Sequence, residues 1–267
     1  MSFPVLVSST SVLSSYCDFI EYCCFINNDM NFSEFDINDS SFTESDIIEE
    51  LERRLLLYDS FQPYDIKKTK IVSLLTEKEK YLHYLYCLYY ALRGGVSKVD
   101  ITNIFETITD SCLKNYFNTD KSIIISIGQG KSLLKNKMAA IVDSLNETLG
   151  NCEEMPKSAK DGGIDIITFK PIDVRGNQFV CLTDATIGKN WKSEKIVKSK
   201  LDSWKEYIFF KVCPYTCLSI VHIVEPEEFH TASKNNGMIF DRARIMKYYK
   251  EESNIVNQLI VWSNSLS

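Results

Sequence analysis

Apolar positions recur at helical spacing through the first 120 residues. Over 46–58, Ile47, Ile48, Leu51, Leu55 and Leu56 share one face, with Glu49, Glu50 and Arg53 opposite, which predicts an amphipathic helix. Thr76-Glu-Lys-Glu79 has the spacing of a capping box, which predicts a helix from there to Arg93, ended by Gly94-Gly95. Another helix is expected over 100–117, with Ile101, Ile104, Phe105, Ile108, Cys112 and Leu113 inward. Residues 27–46 are rich in Asn, Asp and Ser and read as a solvated loop, in which Phe32, Phe35 and Phe42 offer a partner contact.

The period changes after Asn118. A β-branched run at 123–127 is followed by a helical pattern over 131–149, closed by Gly150. Strand-like runs follow at 164–169, 179–185 and 217–224, with a Lys-rich helical segment at 193–210 and room for a short strand in 152–160. The expected organisation is a helical N-terminal domain, residues 1–120, which serves as a cap or docks a protein partner, and an α/β domain, residues 121–267.

The chain carries a net charge of −6, distributed unevenly. Residues 1–120 hold 10 basic and 19 acidic side chains, and residues 121–267 hold 20 and 17. Any polyanion is therefore expected at the second half. No apolar run approaches the roughly 18 residues of a membrane span, and 2–13 lacks the basic flank of an export signal, so no membrane contact and a cytoplasmic location are expected. Nine cysteines without a CxxC pair suit reduced thiols; Cys213 and Cys217 stand as CxxxC with no matching ligand pair. His83, His222 and His230 are scattered, which argues against a histidine-bound metal.

Two segments invite chemistry. Ile127-Gly-Gln-Gly-Lys-Ser132 resembles a phosphate-binding loop, but that loop requires Gly where Ile125 stands, so it reads as a strand-to-helix turn. Asp161-Gly-Gly-Ile-Asp165 places a tight turn before a strand with an acid at its start. About 19 residues later, Phe179-Val-Cys-Leu-Thr-Asp184 ends a second strand in an acid. Carboxylates on adjacent strand ends can share a hard divalent cation through oxygen ligands. The plainer alternative for Asp165 is a cap on its own Gly-Gly turn.

These segments, with Ala185-Thr-Ile-Gly-Lys-Asn-Trp191 and Phe240-Asp-Arg-Ala-Arg-Ile245, resemble the PD-(D/E)XK nuclease superfamily over roughly residues 122–250. The resemblance implies a restriction-endonuclease-like αβββαβ core. It implies a Mg²⁺- or Mn²⁺-dependent DNA endonuclease, with RNA left open, acting as the nuclease effector of a bacterial defence system together with a partner. Asp165 and Asp184 would be the metal ligands, helped by the Ala185 carbonyl. The motif lysine belongs at position 186, where Thr186 stands; Lys189 is the replacement by resemblance, and Lys195 the alternative. Asp143 and Glu147 are candidates for a further acidic ligand. The lysines at 189, 192, 195, 198, 200 and 205 form a solvated face or a phosphate track. Trp191 reads as an apolar anchor. Arg242 and Arg244 reach either phosphate or a core acid such as Asp241. The rival reading is a nuclease fold without chemistry that serves as an interaction module.

Overall fold

The computed structural model describes residues 12–32, 42–95, 99–125, 134–153, 155, 162–194 and 196–266. In chain order the elements are α1 (Leu13–Asn27), β1 (Asp29–Asn31), α2 (Glu44–Tyr58), β2 (Tyr64–Lys67), β3 (Lys70–Ser73), α3 (Leu82–Arg93), α4 (Val99–Phe117), β4 (Ser122–Ile124) and α5 (Leu134–Leu145). They continue with β5 (Thr148–Leu149), β6 (Ile166–Lys170), β7 (Phe179–Thr186), α6 (Trp191–Glu194), α7 (Lys198–Tyr207), β8 (Ile208–Phe209), β9 (Tyr215–Ile220), α8 (Pro226–Asn236), β10 (Met238–Phe240), α9 (Arg242–Tyr248) and α10 (Ser253–Asn264). The architecture is mixed α/β.

The main sheet has five strands in the order β10-β9-β7-β6-β4. β6 runs antiparallel to both neighbours, while β7, β9 and β10 are mutually parallel, so helices must carry the chain back between them. α6 and α7 make the first return and α8 the second. Alternation along the strands divides the core in two. Ile166, Cys181, Cys217 and Phe240 join one apolar cluster with α1, α3, α4, α9 and α10. Ile167, Val180, Leu182, Leu218 and Ile239 join another with α5 and α7.

The N-terminal segment is not purely helical. β1, β3 and β2 form a small antiparallel sheet, whose strands of 3 and 4 residues are too short to show a period in the sequence. The capping box belongs to α2, where Thr43 Oγ1 accepts from Asp46 N–H and Asp46 Oδ2 accepts from Thr43 N–H. The region after Thr76 instead forms a 3₁₀ turn, Lys78–Tyr81, before α3 begins. Leu56, expected inward, is 82% exposed. Phe32 and Phe42, expected in a solvated loop, are buried in the first cluster, which removes them as surface contacts; Phe35 lies outside the described residues. The segments 1–120 and 121–267 differ in secondary structure but share that cluster, with α4 lying across β6 and β7. No helix of the described residues is long and apolar enough to cross a membrane.

A closed ionic network joins the helices to the sheet. Arg54 donates to Asp18 (2.7 Å), Glu21 (2.9 Å) and Glu50 (2.7 Å). Arg242 donates to the same Asp18 oxygen (2.5 Å), to the Tyr58 hydroxyl (3.0 Å) and to the Val221 carbonyl (3.2 Å). Tyr58 and Tyr84 donate to Glu21 Oε2. Both arginines are fully buried, so each guanidinium needs these partners to offset lost hydration. Arg242 is thereby committed to a core acid on α1. Asp241, whose carboxyl burial pushes up, caps α9 by accepting from Arg244 N–H. Arg244 donates to the Ile239 carbonyl (2.6 Å) and lies over the Phe229 ring.

Replacing Arg242 with Met leaves Asp18 and Glu21 short of a partner, and we expect a loss of about 3–5 kcal/mol in urea unfolding. A loss below about 1 kcal/mol would show the network to be idle. Acid sensitivity is the second expectation. Burial holds His83 down to about 3; burial also holds His222 down, to about 4, with Arg242 adding and Asp18 opposing. The unfolded chain binds these protons below about pH 6.5, so stability is full above that pH and falls as pH drops towards 4. Burial pushes the Asp18 carboxyl up, but Arg242 and Arg54 outweigh it and bring it to about 2. Its contribution is therefore lost only below about pH 4. His83→Phe, which keeps a ring against Tyr249, should flatten the melting temperature profile between pH 6.5 and 4; an unchanged profile would refute the assignment.

Candidate active site

The β6–β7 register pairs Ile166 with Thr183, and one further step sets Asp165 across from Asp184. Both lie on the sheet face of Ile167, Val180 and Leu182, because side chains two residues apart share a face. Asp165 is fixed from both sides: its N–H donates to the Thr183 carbonyl (2.9 Å), and its carbonyl accepts from Ile125 N–H (2.8 Å). Its carboxylate oxygen Oδ2 accepts from Ala185 N–H at 2.8 Å. Asp165 is half-buried, while Asp184 is 2% exposed.

The turn before Asp165 is set by two glycines. Gly162 and Gly163 have φ of 63° and 75°, where a side chain is strained, and α7 packs directly on them. Trp204 Nε1 donates to the Gly162 carbonyl (3.4 Å), and a β-carbon on Gly162 would lie 3.0 Å from Leu134 Cδ2. A β-carbon on Gly163 would lie 2.9 Å from Cε and 3.2 Å from Nζ of Lys200. Lys200 and Trp204 are four residues apart, so one face of α7 grips the whole turn.

The structure places the other expected residues as follows. Thr186 Oγ1 accepts from Gly188 N–H (3.1 Å) and so holds the turn after β7. Lys189 is exposed, and its stem runs along the end of α3, where a β-carbon on Gly94 would lie 3.2 Å from its Cγ. Lys195, Asp161 and the Gly-rich segment 127–132, apart from the excluding Ile125, lie outside the described residues. Glu147 accepts from Lys211 N–H (3.2 Å). Asp143 is exposed on α5, whose end meets Gln178 at the opposite end of β7, so neither acid joins Asp165. Trp191 is buried as an apolar anchor.

Of the described lysines in the run, Lys189, Lys192, Lys198 and Lys205 are exposed and Lys200 is half-buried. Lys192 pairs with Glu228 (2.5 Å), Lys205 with Asp202 (3.7 Å), and Lys198 donates to the Ser233 and Lys234 carbonyls at the end of α8. Two cations lie close to Asp165 along the chain or the sheet, one from the lysine run and one outside it. Lys200, a member of the lysine run, packs on Gly163. Lys137 on α5, which sequence reasoning did not single out, is half-buried and donates to the carbonyl of Ile125, the residue paired with Asp165.

Among the described residues no group of three or more His, Cys, Asp or Glu could hold a metal ion. The donor set still fits Mg²⁺ or Mn²⁺, since Mg²⁺ commonly takes one or two protein carboxylates and completes its shell with water and phosphate oxygens.

No family model matches the chain, and no curated protein matches it. A solved structure, protein VC1899 from Vibrio cholerae, aligns with 10% identity and a TM-score of 0.25, covering 96% of this chain and 52% of that one. The chain thus spans about half the length of that protein, and so loose a superposition says nothing of fold or function.

Alanine at either turn glycine should cost about 1–2 kcal/mol from the left-handed backbone alone. Gly162→Ala should cost more than Gly163→Ala, because it meets Leu134 and the Trp204 ring rather than a flexible lysine end. Urea unfolding of the two variants decides this; equal losses near zero would refute the clamped turn.

Proposed function

We propose that the chain is a Mg²⁺- or Mn²⁺-dependent nuclease acting on DNA phosphodiesters. The observation that carries this is the facing pair Asp165 and Asp184 at the ends of adjacent strands, on one side of the sheet. Further support comes from the strand pattern: β4, β6, β7 and β9 are neighbours in that order with β6 alone reversed and α7 before β9, as in the αβββαβ core that the resemblance implies, although α5 and β5 are inserted between β4 and β6. A divalent ion held by the two carboxylates would lower the pKa of a bound water and offset charge on the phosphate. Ala185 N–H orients the Asp165 carboxylate for this role, and the rigid sheet keeps the acids in register.

In this reading the chain is the nuclease effector of a bacterial defence system and works with a partner. The acidity of residues 1–120 disfavours DNA there. Leu56 and Leu57 on α2 are 82% and 41% exposed, as a protein contact would require. Three observations favour the second reading, a nuclease fold kept as an interaction module: Thr186 stands at the lysine position and serves a turn, Asp165 is engaged by the Ala185 N–H, and Lys189 is exposed.

Plasmid nicking with Mg²⁺ or Mn²⁺ separates the two. Asp165→Asn keeps an acceptor for Ala185 N–H but removes the charge, and together with Asp184→Ala it should lower nicking at least about 100-fold. Equal nicking by wild type and both variants would remove the assignment of the site. Absence of Mg²⁺ and Mn²⁺ binding in calorimetry with DNA present would favour the interaction module.

A further inference from the structure

We infer that Lys137 and Lys200 form a phosphate clamp around Asp165 and hold a polynucleotide strand by the phosphates next to the bond at the acid pair. The inference deepens the nuclease reading and rests on it for the position of that bond. The two lysines come from different helices, α5 and α7, which pack on the same sheet face that carries both acids. Lys137 presents its amine at the Ile125 carbonyl, one strand over from Asp165. Lys200 presents its amine at Gly163, two residues before Asp165. The order across the sheet is therefore the Lys137 amine beside β4, then Asp165 at the start of β6, then Asp184 at the end of β7, with the Lys200 amine over the turn that leads into β6.

The Lys137 amine is held by its bond to the Ile125 carbonyl, and the Lys200 stem packs on Gly163. Lys137 and Lys200 are half-buried, so each gives up rotamer freedom in its placement. Their neighbours in the lysine-rich region are used differently: Lys192 and Lys205 meet acids, and Lys198 meets the carbonyls at the end of α8. Ammonium groups at the Ile125 carbonyl and at Gly163, with the two carboxylates on the same sheet face, suit a ligand that brings a chain of phosphates and a metal together, since the amines offset phosphate charge where the acids alone would repel it. Point-charge contacts of this kind carry no base preference, so the clamp binds strands irrespective of sequence.

The test is fluorescence anisotropy with a labelled single-stranded DNA oligonucleotide in EDTA, titrated across salt concentrations. Lys137→Ala and Lys200→Ala should each reduce the slope of log affinity against log salt by about 0.7, the value for one phosphate contact on a single strand, and the double variant by about twice that. Lys137→Arg and Lys200→Arg should keep the slope, and Lys205→Ala, a lysine paired away from the site, should leave it unchanged. Inorganic phosphate at millimolar concentration should compete poorly, because the clamp spans successive phosphates. Slopes unchanged in both alanine variants, an equal drop in Lys205→Ala, or no binding by the wild type each overturn the clamp. The nuclease reading is judged separately: unchanged slopes with active nicking reject only the clamp, and reduced slopes without Mg²⁺ or Mn²⁺ binding reject only the nuclease.

Discussion

The fold depends on a buried set of four charges: Asp18 and Glu21 on α1, Arg54 on α2 and Arg242 on α9. Taking such groups out of water is costly, and the set is tolerable only because it is closed. Asp18 serves both arginines, and Glu21 is shared by Arg54 and the Tyr58 and Tyr84 hydroxyls. Arg242 lies two residues past the end of β10, and its N–H donates to the His222 carbonyl beyond the end of β9. The network therefore fixes the helical segment against the ends of the parallel strands, and neither part has a complete interior without the other.

The two faces of the main sheet divide the work. The face towards α1, α3, α4, α9 and α10 is aromatic, and the buried ionic network joins α1, α2 and α9 on that side. The other face carries Asp165 and Asp184, with α5 and α7 above them. On that side, positions are set by close backbone approach. The Gly162-Gly163 turn can adopt its left-handed conformation and admit Trp204, Lys200 and Leu134 only because no β-carbon intervenes. The loop after β7 bridges the two faces. Thr186 anchors it from within, and Ile187 and Lys189 lie against Gly95 and Gly94 at the end of α3. The helical segment therefore touches the stretch that follows directly on Asp184 and Ala185.

Much of the sheet was legible because its strands are long enough to show composition. The runs at 164–169 and 179–185 became β6 and β7 within two residues, and both acids ended where the Gly-Gly turn and the apolar run implied. The helix at 100–117 became α4. The Lys-rich helix at 193–210 was split into α6 and α7, and the 217–224 strand ended early, at Ile220. The short pairs β1–β3 and β5–β8 left no periodic trace, since strands of two to four residues are made by their partners and not by their own pattern.

Local pattern alone thus determined the α/β character, the strand bearing each acid, and the glycine turn before Asp165, because these depend on residues close in the chain. Tertiary structure decided what separation in sequence conceals. It committed Arg242 to Asp18, 224 residues away, where sequence left phosphate and acid both open. It buried Phe32 and Phe42 and exposed Leu56, because burial depends on what packs against a face and not on the face itself. It gave Thr186 to a turn and set Lys137 at the Ile125 carbonyl and Lys200 at Gly163 from two helices. A lysine's reach is set by the packing of its helix, and that packing is absent from any window of the chain.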